Sequence, residues 1–348
     1  VIRMIHTILG EDGFQKGMLL YFERHDGDAV TIDDFVASMA DANDVNFESF
    51  MLWYSQAGTP EVSVEDEYDS NQQTYSATFT QKNQKTPFVI PNQFGLNDED
   101  GLEIESGLII IDELIKTISF NNVQSKPVPS WFRGFSAPIK VSSTLSLQDK
   151  IYLASCDTDP FNRWDSVQSL WLEYILNPEQ VIEKDLFGMI ENLFNNESDY
   201  ALLSEMISLP SEQIIHQNVG KIDVEEVHNQ RNQSILSVAS AFKNQLLEMY
   251  HQLNHTKAFD LSTQSIGERA LKNKCLSYLS KLGELDIAYQ QFINADCMTD
   301  QFGAFQCLLD SKNQYRAKVI TQFYKQHQSD VQVVDKWFSA QCLASVTS

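Results

Sequence analysis

The placement of proline constrains the fold of this chain more than any other sequence feature. Of nine prolines in 348 residues, six lie between residues 60 and 138. Proline lacks a backbone N–H and fixes φ, so helix interiors rarely tolerate it, and this window is predicted to be non-helical. Short segments with period-two or continuous apolar patterns within it predict a small antiparallel β-sandwich. The candidate strands are Glu61–Glu65, Thr74–Thr80, Phe88–Ile90, Leu108–Ile111, Thr117–Phe120 and Phe135–Val141.

Helical periodicity replaces this pattern on both sides of the window. Phe14, Met18 and Tyr21 form one apolar stripe, and Thr31 with Asp34 is a plausible N-cap pair. Short amphipathic segments joined by short loops follow residue 145, and they predict antiparallel helix hairpins in a solenoid-like array of the HEAT or armadillo type. No fixed-length sequence repeat is visible. The predicted helices are 146–156, 163–176, 179–194, 198–208, 223–255, 264–282, 284–294, 299–310, 312–327 and 330–344.

The charge balance excludes several classes of partner. Lys and Arg total 25 against 48 Asp and Glu, which gives a formal net charge of −23. An excess of acid repels phosphate backbones and anionic headgroups, so we expect neither nucleic acid nor a membrane as partner. Apolar runs such as Leu108–Ile111 are far shorter than the roughly 20 residues of a membrane span. The five cysteines are an odd number and include no C-x-x-C pair, which favours free, buried thiols and a cytoplasmic location.

One pair of histidines has the spacing of a metal site. His251 and His255 would lie on one helix face and could share a zinc ion. The zinc-peptidase pattern needs Glu after the first His as a base, and this chain has Gln252. Lys274 stands where that pattern has its distant glutamate ligand. We therefore interpret the pair as a solvated helix end; the metal hypothesis would require stoichiometric zinc that is lost in His251→Ala.

Two acidic segments are weaker candidates for a cation site. The segment 97–101 resembles half a calcium loop, but Leu96 and Gly107 occupy the first and twelfth positions, so a surface turn is predicted. Asp157 and Asp159 precede Pro160 and could hold a cation, although an Asp before a helix that starts with Pro is ordinarily a cap. The sequence also lacks phosphate-binding and hydrolase motifs. It therefore predicts no catalytic, cofactor-binding or metal-ligating residue.

Short segments of specific sequence carry more information than the periodicities do. They are Val1–Gly10, Phe14–Gly17, Tyr21–Gly27, Asp33–Phe35, Trp53–Pro60, Phe135–Pro138, Asp159–Asp165, Gln168–Leu170, Met298–Asp300 and Asp335–Phe338. These segments, in this order, resemble the aminopeptidase N family of gluzincin zinc metallopeptidases. The resemblance covers nearly the whole chain and is weakest near 69–125 and 177–230. It implies a zinc-dependent exopeptidase that acts on peptides.

The resemblance also implies a domain plan and a role. Residues 1–57 would be the last helices of a thermolysin-like catalytic domain, 58–143 the β-sandwich, and 144–348 most of the C-terminal helical domain. In the family the H-E-x-x-H and G-x-M-E-N motifs lie upstream, and neither occurs in this sequence. We therefore expect zinc in the parent enzyme, no cofactor on this chain, and no activity from it alone. The chain would serve as the spacer and the lid over the active-site cavity.

Two expectations follow from an incomplete first domain. Val1 begins a helix already in progress, which suggests that residue 1 is not the native start. Apolar residues of that helix would then contribute to a surface patch or an oligomer contact; the candidates are Ile2, Met4, Ile5, Phe14 and Met18. The alternative hypothesis is a self-standing scaffold, in which the sandwich and the helical array bind peptides or proteins. The sequence does not predict an oligomeric state.

Overall fold

The computed structural model describes residues 1–177, 183–219, 223–254 and 259–346. The chain divides into two compact units, Val1–Ser166 and Val167–Ser348, each of which is described by itself. The first unit contains the N-terminal helices, the β-strands and the first helix after them. The boundary falls inside a helix that begins at Pro160.

The first unit opens with a helix pair. Helix α1 (Ile2–His25) changes direction at Gly10, whose φ of 69° lies in the left-handed region, and it packs on α2 (Ile32–Asn43). Gly17 permits this contact, because a Cβ there would lie 2.2 Å from the Met39 Sδ and 3.1 Å from the Met39 Cα. Helix α3 (Leu52–Ser55) completes this part.

The predicted cap of α2 is confirmed. The Thr31 hydroxyl accepts a hydrogen bond from the Asp34 backbone N–H at 3.4 Å, and the Asp34 carboxylate accepts one from the Thr31 backbone N–H at 2.8 Å. These reciprocal bonds satisfy N–H groups that the helix itself leaves open. The bonds from Thr31 also hold the pKa of Asp34 below its usual range.

A two-sheet sandwich follows, as the proline pattern predicted. One sheet has the order β5-β2-β1-β7 and the other β4-β3-β6. Neighbouring strands are antiparallel except β1 and β7, which pair in parallel from Glu61 with Lys140 to Val64 with Ser143. The strands are β1 (Glu61–Asp69), β2 (Thr74–Lys82), β3 (Ile90–Asn97), β4 (Glu103–Ile111), β5 (Ile115–Asn121), β6 (Val128–Ser130) and β7 (Lys140–Ser143).

The sandwich core forms where alternate side chains of the strands point inward. Every second residue of β2 is buried, as period-two alternation predicts. The ring of Phe79 meets Trp131 edge to face with centroids 5.0 Å apart, and Phe94 contacts the same indole. Such aromatic pairs add to the free energy gained by burial alone.

The predicted strands differ in their bounds from the observed ones, two of them substantially, and β6 was not predicted. The segment 88–90 contributes only Ile90 to β3, because the Gln81 side chain bonds the backbone N–H and C=O of Phe88, both at 2.9 Å. The predicted strand 135–141 is wrong except at its end. Residues Arg133–Phe135 form a 3₁₀ turn, and β7 begins at Lys140.

Helices make up the rest of the described chain, and most of them match the predicted segments. One predicted helix, 223–255, is two helices that meet at Phe242, and α8 was not predicted. The helices are α4 (Leu147–Cys156), α5 (Pro160–Leu176), α6 (Glu183–Asn196), α7 (Tyr200–Met206), α8 (Glu212–Gln217), α9 (Val224–Ala241), α10 (Lys243–Leu253), α11 (Thr263–Lys281), α12 (Leu285–Asn294), α13 (Met298–Leu309), α14 (Arg316–His327) and α15 (Val331–Leu343).

Helix α11 is the central element of the second unit, since it contacts α7, α9, α10, α12 and α13. Two buried aromatic side chains bond the end of α7. The Trp171 indole N–H donates to the Met206 carbonyl at 2.9 Å, and the Tyr278 hydroxyl donates to the Ile207 carbonyl at 2.5 Å. Within the described ranges, no helix is both long and apolar enough to cross a bilayer.

The prediction of an apolar surface on the first helix is correct only in part. Met4 and Ile5 belong to the buried core, so their predicted exposure is wrong, and Phe14 and Met18 are half-buried. Ile2 is 54% exposed. It shares a groove with Ile32, which is 50% exposed. A smaller apolar surface therefore lies across the start of α1 and the start of α2.

We predict that the Ile2→Ser, Ile32→Ser double variant lowers fluorescence of a bound hydrophobic dye and any concentration-dependent association of the chain. Both side chains face solvent, so the free energy of unfolding should change by less than about 1 kcal/mol. Dye titration and sedimentation velocity measure the two effects. Leu261→Ser, at a position that is 73% exposed and does not line this groove, is the matched control. Equal dye binding by both variants would contradict the prediction.

All five cysteines are free, as the sequence predicted, but the prediction that they are buried is wrong for two of them. Cys156 and Cys342 are exposed, whereas burial raises the pKa of the Cys275 thiol to about 12. The thiolate is the reactive species, so a raised pKa suppresses reaction.

We therefore predict that a disulfide reagent at pH 8 labels Cys156 and Cys342 rapidly in the native chain and labels Cys275 only after denaturation. Peptide mass spectrometry of quenched samples gives the rate at each site. A Cys156→Ser, Cys342→Ser variant should lose the fast phase. Labelling of Cys275 at the rate of Cys156 would contradict the structure.

Candidate functional site

A buried cluster of charged and polar groups lies where the sandwich meets α4 and α5. The Arg133 guanidinium lies at its centre: Nη2 is 2.8 Å from Asp157 Oδ1, Nε donates to the Ser130 hydroxyl at 3.0 Å, and Nη1 bonds Glu103. Ser130 in turn donates to Asp157 Oδ2 and accepts a bond from Asn162 Nδ2 at 2.7 Å. Most polar groups of the cluster thus have partners, as burial of charge requires.

Local backbone geometry brings the guanidinium to this position. Phe132 and Gly134 have φ of 57° and 62°, so the chain reverses tightly on both sides of Arg133. Gly95 on β3 leaves room for the guanidinium, since a Cβ there would lie 2.0 Å from Arg133 Cζ. Hydrogen bonds from Ser106 and from Arg133 lower the pKa of Glu103, so that this carboxylate stays ionised near neutral pH.

The contacts of Asp157 and Asp159 distinguish the two interpretations of these residues, a cation site and a helix cap. Asp157 follows the last residue of α4, is buried, and bonds Arg133. Asp159 Oδ1 accepts a bond from the Asn162 backbone N–H at 2.8 Å, as a cap at the start of α5 does. The cap interpretation is confirmed, and a guanidinium lies where the alternative placed a cation.

The other two sequence candidates are not brought together into a site. The segment 97–101 is a surface turn between β3 and β4, as predicted: Asp98 Oδ1 accepts bonds from the backbone N–H groups of Asp100 and Leu102 at 3.0 and 2.9 Å. His251 is exposed near the end of α10, beside the Tyr250 ring. His255 lies outside the described residues.

A second cluster of polar side chains lines a pocket in the helical unit. The sequence analysis did not predict this cluster. The pocket has a volume of about 520 Å³ and lies between the end of α10, one face of α11, and the turn from α12 to α13. Ser265, Glu268 and Lys272 share a face of α11 because they are three and four residues apart. Gln290, Gln291 and Asn294 share a face of α12 for the same reason.

Charged side chains form the inner wall of this pocket. Lys272 and Asp300 are 7% and 5% exposed, and Lys272 Nζ lies 2.5 Å from Asp300 Oδ2. Asp300 Oδ1 accepts a bond from Asn273 Nδ2 at 2.8 Å. Gln291 Nε2 donates to Asn273 Oδ1 at 2.7 Å and to the Asp300 carbonyl at 2.9 Å. The wall is therefore one continuous hydrogen-bonded network from α11 to α13.

The residues of this wall do not suit a metal ion. Among described His, Cys, Asp and Glu side chains, Asp296, Cys297 and Asp300 form the group close enough to share a metal, with ligand atoms within 4.8 Å. Lys272 and Asn273 already occupy both oxygens of Asp300. Burial raises the pKa of Cys297, which favours the neutral thiol over the thiolate that binds metal. The ammonium of Lys272 thus binds Asp300 where a metal ion would have to bind it.

A weak sequence signal marks the missed residues. Glu268 and Lys272 lie on the apolar stripe of α11 beside Leu271, Cys275 and Leu276, where charged residues are rare unless paired. The partner of Lys272, Asp300, is on another helix and 28 residues away, so the sequence does not reveal the pair.

Three protein-family models together match nearly the whole chain. Residues 147–347 match the family described as a domain of unknown function (DUF3458_C) with ARM repeats. Residues 58–144 match a domain of unknown function (DUF3458) with an Ig-like fold. Residues 1–54 match the peptidase family M1 domain.

Relatives match almost the whole chain but only part of their own length. Aminopeptidase N of Escherichia coli (strain K12) is 34% identical over 98% of this chain and 42% of that protein. Aminopeptidase N of Haemophilus influenzae is 30% identical with the same coverage. The crystal structure of Legionella pneumophila aminopeptidase A in complex with aspartic acid superposes with a TM-score of 0.90 and 27% identity, over 99% of this chain and 42% of that one. The chain thus spans less than half of these relatives and corresponds to a C-terminal portion.

We predict that Arg133→Met lowers the free energy of unfolding of the first unit by about 3–5 kcal/mol, because it leaves Asp157 buried without a counter-charge. Urea denaturation followed by tryptophan fluorescence measures the loss. The control is Arg24→Met, which removes an exposed ion pair in which Arg24 Nη1 lies 2.6 Å from Asp41 Oδ2. It should lower the free energy of unfolding by less than about 1 kcal/mol. Similar losses in the two variants would show that the buried cluster contributes nothing special.

Proposed function

The chain belongs to the DUF3458_C family of ARM-repeat helical domains, and on that premise we propose that it is the non-catalytic C-terminal part of a zinc-dependent aminopeptidase. In this role it forms the spacer and the lid over the active-site cavity of the parent enzyme. The observation that carries the proposal is the match to aminopeptidase N along 98% of the chain, at 30–34% identity in three bacterial relatives.

The domain plan is part of the proposal. Residues 1–57 would complete the peptidase domain, 58–143 would act as the spacer, and 144–348 would cover the cavity. The match of residues 1–54 to the peptidase family M1 domain supports the first assignment. The Ig-like and ARM-repeat matches support the other two.

The chemistry would come from parts of the parent that these residues do not include. The sequence has no H-E-x-x-H and no G-x-M-E-N. Within the group formed by Asp296, Cys297 and Asp300, the Lys272 ammonium is paired with Asp300. We propose that the parent holds zinc and cleaves N-terminal residues from peptides in the cytoplasm. The chain itself would bind no zinc, no nucleic acid and no membrane.

We predict that the purified 348-residue chain does not hydrolyse an alanyl chromogenic amide, with or without added zinc. The product of the complete reading frame should hydrolyse it and lose the activity to a chelator. Initial rates at equal molar concentration give the comparison, with the Escherichia coli enzyme as positive control.

Two outcomes would overturn the proposal. Hydrolysis by the 348 residues alone would show that they contain an active site. A reading frame that starts near Val1 and encodes no H-E-x-x-H would favour the scaffold hypothesis instead.

A further inference from the structure

Strand β4 presents one side of its backbone to solvent. It is an outer strand of the three-stranded sheet and pairs with β3. Residues 103–108 are all exposed, and the side chains of Leu102, Ile104 and Leu108 are 67%, 42% and 40% exposed. Strand β4 is therefore an accessible sheet edge that carries apolar side chains.

The residues of β3 show which backbone groups of β4 point outward. Pro91 lacks an N–H, so it cannot form a hydrogen-bonded antiparallel pair with Ile110, which it faces. Gln93 faces Leu108, and its N–H donates to the Ser136 hydroxyl at 3.2 Å instead. Hydrogen-bonded and non-hydrogen-bonded positions alternate along such a pair. The even-numbered positions from 106 to 110 of β4 are therefore the non-hydrogen-bonded ones.

The outward groups are thus the backbone N–H and C=O of Ser106, Leu108 and Ile110. No hydrogen bond to these groups is formed within the part of the chain that the structure describes. Donors and acceptors that alternate along an extended backbone are the surface with which another β-strand pairs. The chemistry of this edge therefore specifies an extended strand as its occupant.

A second copy of β4 fits the edge in antiparallel orientation. With a two-fold axis at Leu108, Ser106 of one copy faces Ile110 of the partner subunit, and the two copies of Leu108 face each other. Each of these pairs would exchange two N–H···O=C bonds. The irregular part of β4 lies outside this stretch, because the register shift is opposite Leu96 and Asn97 of β3.

The placement of charge favours this antiparallel register. Glu105 of one copy would face Ile111 of the partner subunit, whereas a parallel copy in register would place the two Glu105 carboxylates side by side. Like charges directly opposite each other destabilise a strand pair. The neighbouring carboxylate of Glu103 is already paired with Arg133 in its own chain. The exposed Leu108 side chain would pack against its counterpart.

We propose that β4 is an interface between two copies of this chain, which pair antiparallel into one sheet that runs from β6 of one copy to β6 of the other. Because the same surface is used on both copies, the contact closes on itself and stops at a dimer. Every contact lies within the sandwich, so the inference does not depend on the proposed function.

Sedimentation velocity over a concentration series measures the dimer. The chain carries Ile2→Ser and Ile32→Ser, so that the groove on α1 and α2 does not contribute. Adding Ser106→Pro should abolish the dimer, because it removes an outward N–H and places a ring in the path of the partner strand. The β3 ladder does not use this N–H, so the variant should fold, which circular dichroism checks. Ser106→Ala also loses the hydroxyl that bonds Glu103 but keeps the N–H, and this matched control should still dimerise.

The dependence on salt tests the charge argument. Each copy has a formal net charge of −23, so the two copies repel, and salt screens this repulsion. The Kd of the dimer should therefore fall as the salt concentration rises. A Kd that rises with salt would indicate attraction between opposite charges, which this register does not contain, and would contradict the proposal.

A cross-linking experiment locates the axis without the proline variant. Leu108→Cys is introduced into a chain that also carries Cys156→Ser and Cys342→Ser. Facing Cα atoms of a hydrogen-bonded antiparallel pair lie about 5.5 Å apart, which a disulfide can span, so oxidation should give a covalent dimer. Ile115→Cys in the same background, at a position on β5 that is 61% exposed, should stay monomeric.

Three results would overturn the proposal. A chain that is monomeric at every soluble concentration would leave the edge to an extended segment of a different protein. Equal association of Ser106→Pro and Ser106→Ala would place the contact on another surface. Cross-linking of Leu108→Cys and Ile115→Cys to the same extent would show that β4 does not meet its counterpart.

Discussion

The buried guanidinium of Arg133 is the interaction on which the first unit depends. Its two carboxylate partners come from β4 and from the end of α4, and the hydroxyl of Ser130 joins them. None of these side chains can move far without leaving a charge in an apolar interior, and that cost is larger than the loss of any single surface contact. The sandwich and the helix that follows it are thus held by one shared set of bonds, for which Gly95 provides the space.

Local sequence patterns predicted which helices and strands form better than they predicted where these elements begin and end. Period-two alternation located β2, and helical periodicity with a Thr31 cap located α2, because both signals are contained in a few neighbouring residues. The predicted bounds were wrong where a side chain from another element forms the hydrogen bonds of the backbone. Gln81 takes the hydrogen bonds of Phe88 that a strand would have used. The Arg133 partner of Asp157 and the polar cluster on α11 to α13 were missed for a related reason, since these side chains meet only after the elements pack.

The two clusters share one property. Around Arg133 the buried side chains bond one another, which is typical of a structural network. On α11 to α13, Lys272, Asn273 and Gln291 likewise bond one another or Asp300. In each cluster a buried cation is paired with a buried carboxylate, so the loss of one partner would leave the other without a counter-charge.

The parallel pairing of β1 with β7 has a consequence for the order in which the sandwich forms. The hairpin of β1 and β2 closes over a turn of a few residues, whereas β7 can pair with β1 only after nearly the whole domain has been ordered between them. Closing so long a loop carries an entropic cost that local contacts do not share. The first and last strands should therefore join late, so that until then the β1 edge stays open to pairing with another chain. During synthesis, release of residue 143 from the ribosome would be the event that seals this edge.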